Sequence, residues 1–150
     1  MAGLVILIPY FWISQYAHPV ADDLLYAFRG QEASLLSNLE WDYFNWNGRY
    51  SSNIFVFSNP MVGENLLLYR FTPILFICLT VVALRFFLSA LSQTIRPINK
   101  WGIALLCTGL YLHTMPIISE GLYWYTGTVT YLGGCILTLV HFGLFIRLIQ

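Results

Sequence analysis

Residues 66–91, LLLYRFTPILFICLTVVALRFFLSAL, leave this chain little choice of architecture. Their only charges are Arg70 and Arg85, near the two ends. As a helix rising 1.5 Å per residue the stretch reaches about 39 Å, more than the roughly 30 Å of hydrocarbon in a bilayer. Each arginine can carry its guanidinium to an interface on its alkyl stem. The stretch predicts a membrane-spanning helix.

Three more apolar segments flank it. Residues 2–17 (AGLVILIPYFWISQYA) would reach only about 24 Å, the short end of what crosses a bilayer. No Lys or Arg precedes them and no small-residue cleavage site follows, so a signal anchor fits better than a signal peptide. Spans at about 101–118, with Pro116 near its end, and 129–149 complete the set. The expected fold class is an all-α membrane protein: one polytopic unit of about four transmembrane helices, with juxtamembrane helices in its first outer loop.

Composition agrees. The chain has 150 residues, 58% of them hydrophobic, 17% aromatic and 9% charged, and a mean hydropathy of +0.68. A soluble domain carries about a quarter charged residues. Disorder is excluded by the abundance of aromatics. The net charge is zero, which leaves no electrostatic footprint for nucleic acid. Cys78, Cys107 and Cys135 lie in apolar runs without ligand spacing, and read as small buried hydrophobes. His113 and His141 fall within spans and read as buried, hydrogen-bonded side chains.

Charge asymmetry orients the spans. The connection 92–100 (SQTIRPINK) holds Arg96 and Lys100 and no acid, so it should face the cytoplasm. The segment 18–65 holds six acids against two bases and should lie outside, as should residues 119–128. The expected location is the cell membrane, multi-pass, with an extracytoplasmic active face.

The first outer loop opens HPVADDLLYAFR (18–29). Pro19 suits the first turn of a helix, and Asp22 and Asp23 its acidic start. Asp22, Tyr26 and Arg29 would share one face just outside the lipid. The bland alternative is that both acids cap a helix in water. Residues 32–46 (EASLLSNLEWDYFNW) read as an interfacial helix with Leu35, Leu36, Leu39 and Tyr43 toward the membrane. Asn47-Gly48 supplies a turn, followed by Arg49 and Tyr50, and residues 50–57 read as helix. In the other outer loop Glu120 is the only charge beside Tyr123, Trp124 and Tyr125. Those three aromatics suit either an interfacial belt or a platform for sugar rings.

A first span followed at once by Asp22-Asp23-Leu24-Leu25-Tyr26-Ala27 resembles the opening of the C-type (GT-C fold) glycosyltransferases. Protein O-mannosyltransferases and the aminoarabinose transferases that modify lipid A carry a comparable two-acid signature. Trp46-Asn47-Gly48-Arg49-Tyr50 and Glu120-Gly121-Leu122-Tyr123-Trp124-Tyr125-Thr126-Gly127 are similar to motifs of an uncharacterised bacterial membrane family placed with them. Such enzymes have more than four spans, often with a periplasmic domain. The resemblance therefore implies the N-terminal portion of a larger transferase, or a chain that finds its missing helices in a partner.

It also implies a reaction: an inverting transfer of sugar from a polyprenyl-phosphate carrier to a glycan, lipid or protein acceptor outside the membrane. The carrier phosphate leaves well without a general acid, unlike a glycosidase aglycone. What is needed is a base and positive charge for the phosphate. The resemblance makes Asp22 the base and gives Asp23 the acceptor or a divalent metal cation. Arg29, Arg49 or Arg70 would meet the phosphate, with Arg49 preferred. Tyr26, Tyr50, Glu120, Tyr123, Trp124 and Tyr125 would line the substrate site. Two competing readings remain: a non-enzymatic multi-span protein, such as a transporter fragment or a lipid-carrier-binding subunit, and an inactive truncated transferase. The first predicts polar residues at mid-membrane, but the acids of this chain cluster outside the spans.

Overall fold

In a computed structural model the protein is described from residue 2 to residue 150, apart from the side chains of Ala2 and Tyr50. It is all-helical, with no strand among the described residues. Helix α1 is Ala2–Ser14, α2 Asp22–Glu32, α3 Leu35–Asn45 and α4 Tyr50–Phe57. A single 3-10 turn, Pro60–Gly63, leads into α5, Leu66–Leu91. Helix α6 is Pro97–Thr114. After a wide π-type turn at Ser119–Tyr123 comes α7, Tyr125–Ile149, whose second turn is also π-wound.

Two helices, α5 and α7, are long and apolar enough to cross a membrane. Large apolar side chains are turned outward along them: Leu67, Phe71, Leu79 and Val82 on α5, and Leu137, Phe142, Phe145 and Leu148 on α7 are all exposed. Contiguous exposed apolar surface is a liability in water but a solvation shell in lipid. The cysteines and histidines follow this logic and correct the expectation of burial. Cys78, Cys107 and Cys135 are free and exposed, and so are His113 and His141, the latter edge-on to Phe142. A run of apolar residues in lipid has no obligatory inward face, so hydrophobicity alone does not say which positions are buried.

Boundaries moved as well. Helix α1 stops at Ser14 and spans about 20 Å, shorter than the 2–17 span expected. Ser14 is buried and its hydroxyl bonds back to the Tyr10 carbonyl, 2.9 Å away, as the helix unwinds. Helix α6 starts at Pro97, whose fixed φ suits a first turn, and ends at Thr114, before Pro116. Helix α7 begins four residues earlier than expected, at Tyr125. Pro19 lies outside α2, which starts at Asp22 after Ala21 takes φ 46°.

The predicted interfacial helix over 32–46 is broken. Ala33 is extended and Ser34 caps a new helix, its side chain accepting from the Ser37 N–H at 3.3 Å. Asn38 and Asp42, one turn apart, are buried against the rest of the fold, while Leu35, Leu36 and Tyr43, the side chains expected toward the membrane, are exposed. Asn38 Nδ2 donates to the carbonyls of Arg29 (3.0 Å) and Ala33 (3.2 Å), closing the C-terminus of α2.

Helix α5 is the spine, packing against α6 and α7, while α1 packs against α6 and α5. One core, centred on Leu7, Ile77, Val81, Ala104, Leu112, Leu122 and Leu132, joins these helices. A second, of Ala17, Tyr26, Val56, Phe57, Tyr69, Tyr125 and Val129, fastens α2 and α4 onto the starts of α5 and α7. Gly127 permits the tight return between 119–123 and α7, because a Cβ there would meet the Glu120 carbonyl and the Trp124 ring. Gly102 on α6 has open space around it. Gly127→Ala should therefore lower stability by about 1–3 kcal/mol. Gly102→Ala should be neutral or gain up to about 1 kcal/mol. Thermal unfolding of the two variants in detergent measures the contrast.

Candidate functional site

The first turn of α2 sends its two acids in opposite directions. Consecutive helical residues lie about 100° apart around the axis. Asp23 points inward and is wholly buried, while Asp22 is exposed.

Asp23 is the most heavily bonded side chain in this region. Its Oδ2 accepts from the Tyr69 hydroxyl at 2.5 Å and the Tyr125 N–H at 3.3 Å. Its Oδ1 accepts from the Thr126 N–H at 2.9 Å and the Thr126 hydroxyl at 2.7 Å. Its own carbonyl accepts from Asn59 Nδ2 at 3.0 Å. The carboxylate thus caps the N-terminus of α7 from across the fold, where exposed amides and the dipole favour an anion. Both oxygens are occupied, so Asp23 is a structural pin rather than the expected holder of an acceptor or a cation.

A second buried acid serves the loop. Asp42 Oδ1 pairs with Arg29 Nη1 at 2.7 Å and Oδ2 accepts from Asn53 Nδ2 at 2.9 Å. The Arg29 guanidinium also lies over the rings of Trp41 (4.6 Å) and Phe57 (5.1 Å). Arg29 is therefore held within the loop and does not line the cleft, unlike the shared Asp22–Tyr26–Arg29 face expected. The Asp42 carbonyl collects the N–H groups of Trp46, Asn47 and Gly48, and Gly48 takes φ 63°. Asn47 Oδ1 accepts from Asn53 Nδ2 at 3.2 Å and from the Arg49 N–H at 2.9 Å. This relay sets the turn that presents Arg49.

Between these anchors lies a cleft of about 330 Å³. Asp22 and Tyr26 line it from α2, Trp46, Asn47 and Arg49 from the turn, Asn53 and Val56 from α4, and Trp124, Thr126, Thr130 and Tyr131 from the start of α7. Among the described residues, neither the Asp22 carboxylate nor the Arg49 guanidinium has a side-chain partner. The Tyr26 ring packs edge-on against Phe57 at 4.9 Å. Burial, then the charges of Asp42 and Asp22, push its phenol above the ordinary pKa of 10 and keep it a neutral proton donor.

Other expected site residues lie elsewhere. Arg70 is on α5, its Nε donating to the Ala17 carbonyl at 3.2 Å, and does not line the cleft. Glu120 is exposed and also away from it. Tyr123 donates its hydroxyl to the Tyr10 carbonyl at 3.0 Å. Burial, with a smaller contribution from Tyr10, pushes its pKa up to about 12. Tyr125 is buried, its hydroxyl donating to the Phe55 carbonyl at 2.8 Å. Of the three loop aromatics only Trp124 borders the cleft. The side chain of Tyr50 lies outside the described residues. Asn53, Thr126, Thr130 and Tyr131 are cleft residues that the sequence reading missed; Asn53 was signalled only as an amide immediately before the apolar run 54–57. Among the described residues no three His, Cys, Asp or Glu gather where they could hold a metal ion. Asp22 is the one carboxylate lining the cleft among the described residues.

No protein-family model, curated protein or solved structure matches the chain.

The pin and the cleft acid separate in one pair of variants. Asp23→Asn offers a single acceptor oxygen where two are used, and should cost about 2–4 kcal/mol. Asp22→Asn should stay within about 0.5 kcal/mol of the parent. Denaturant unfolding in detergent reads both.

Proposed function

We propose that this chain is a glycosyltransferase unit of the C-type membrane class, or the N-terminal part of one. It would take a sugar from a polyprenyl-phosphate carrier to an acceptor outside the membrane. In this reading α1, α5, α6 and α7 all pass through the bilayer, and α2 to α4 form an outer cap at headgroup depth. The cytoplasmic side then holds Arg96 and Lys100, in keeping with the positive-inside rule. A partner chain or a further part of the same protein would supply the remaining helices.

One observation carries this reading: the polar cleft borders an apolar groove, with Thr130 lining both. A groove of about 360 Å³ runs between α4, α5 and α7, lined by Phe76, Leu79, Gly133, Gly134 and Leu137, with Ser51 and Ser52 at its polar end. Gly133 and Gly134 leave the room that side chains would fill. An amphiphile with an anionic head and an isoprenoid tail matches both compartments, the head beside Arg49 and the tail along α7.

The chemistry needs few groups. The Asp22 carboxylate takes the proton of the acceptor hydroxyl as its oxygen attacks the anomeric carbon. The bond from that carbon to the carrier phosphate breaks, and the phosphate leaves with the electron pair. Arg49 and the neutral Tyr26 hydroxyl stabilise the departing anion. Attack opposite the phosphate inverts the anomeric centre. Trp124, Trp46 and Tyr131 offer aromatic faces to the sugar.

A carrier-binding subunit without catalysis would use the same cleft but have no need of Asp22. In membranes containing the full-length protein, Asp22→Asn should slow sugar transfer from polyprenyl-phosphate donor by about 100-fold or more. It should leave binding of polyprenyl phosphate within about twofold, whereas Arg49→Gln should weaken that binding about tenfold. Transfer by Asp22→Asn at the parent rate would discard the base. Undiminished carrier binding by Arg49→Gln would discard the phosphate site.

A further inference from the structure

Four of the seven basic residues lie at the end of the bundle away from the cleft, and no acid accompanies them. Arg85 is on α5, about 24 Å along the helix from Tyr69, Arg96 and Lys100 are at the start of α6, and Arg147 is near the end of α7. The ends of α5 and α7 meet there: Gln150 Nε2 donates to the Ala90 carbonyl at 3.1 Å. All seven acids lie in residues 22–64 or at Glu120, on the cleft side.

These cations are prepared rather than merely exposed. Lys100 is 8% exposed, yet among the described residues it has no acid and no hydrogen-bond acceptor. The Arg85 guanidinium lies 4.8 Å from the Trp101 ring, and its Nε is buried without a partner. Arg147 lies 4.5 Å from the Phe86 ring. The first turn of α6 adds the positive end of a helix dipole and has no side-chain cap. The Lys100 stem is covered by the helices and its ammonium reaches the surface at its tip, partly desolvated and without a counter-ion. A guanidinium over an aromatic ring keeps its terminal N–H groups available for phosphate.

We propose that this end is a binding site for the phosphate of an anionic phospholipid headgroup, with Lys100 and Arg85 as its inner contacts and Arg96 and Arg147 at its rim. The ligand is a membrane component rather than a soluble anion. The cluster sits where α5 and α7, both long enough to span a bilayer, come to their ends, and Trp101 provides an interfacial indole. A lipid there would clamp α5, α6 and α7 together at the end that the Asp23 network does not reach.

The test is a reversal of sign in the full chain, reconstituted in lipid nanodiscs. In pure phosphatidylcholine Lys100→Met should unfold at a higher temperature than the parent, because it replaces a partly desolvated ammonium on a covered stem with an apolar side chain of similar length. With phosphatidylglycerol added the order should invert. Native mass spectrometry should show Arg85→Gln retaining phosphatidylglycerol about tenfold more weakly than the parent. That arm stands even where Lys100→Met fails to fold. The same stability order in both lipids, or equal retention by Arg85→Gln, would overturn the proposal. So would inorganic phosphate in phosphatidylcholine discs reproducing the full reversal, since the ligand would then be a soluble anion.

Discussion

The structure depends on one buried carboxylate. Asp23 sits at the junction of α2, α5 and α7 and receives a hydroxyl from Tyr69, a backbone N–H from Tyr125, and both an N–H and a hydroxyl from Thr126. A carboxylate removed from water costs several kcal/mol unless its lone pairs are satisfied. Four donors satisfy these, and each comes from an element far away in sequence. Helix α2 is thereby fixed to the starts of α5 and α7. Tyr69 shares the arrangement, its hydroxyl also lying 3.3 Å from the Tyr123 carbonyl.

The same geometry explains why two acids stand side by side. On a helix, neighbours diverge by about 100°, so burying Asp23 directs Asp22 outward into the cleft. One residue holds the fold and the next faces the cleft. The basic residues are divided in a parallel way. Arg29 is taken by Asp42, and Arg70 by the Ala17 carbonyl. Arg49, held at the backbone by Asn47, is the guanidinium left to the cleft. The cleft is sparse in charge because Asp23, Asp42, Arg29 and Arg70 are committed to structure and the glutamates lie outside it.

How much of this could be read in the chain follows from which interactions are local. Helix α5 was legible to the residue, since length and apolarity are properties of a continuous stretch. The turn at Asn47-Gly48 was legible because glycine at positive φ is a local requirement. The partners of α3's polar face were not: Asn38 and Asp42 are buried because Arg29 and Asn53 meet them from other helices. The roles of Asp22 and Asp23 were not separable either, because the donors to Asp23 lie 46 or more residues away. The cysteines misled for the opposite reason. The rule that apolar means buried assumes water outside, and around α5 and α7 the surface itself is apolar.

The division of labour between the two adjacent aspartates, and the side of the membrane they occupy, can be read in one experiment. Sealed vesicles holding the protein in a known orientation are treated with a water-soluble carbodiimide and an amine, and modification at Asp22 and Asp23 is quantified by mass spectrometry. The account predicts that Asp22 is modified only when the extracytoplasmic face is presented to reagent, and that Asp23 stays unmodified until the protein is unfolded. Modification of Asp23 in the folded protein, or of Asp22 from the cytoplasmic face, would contradict it.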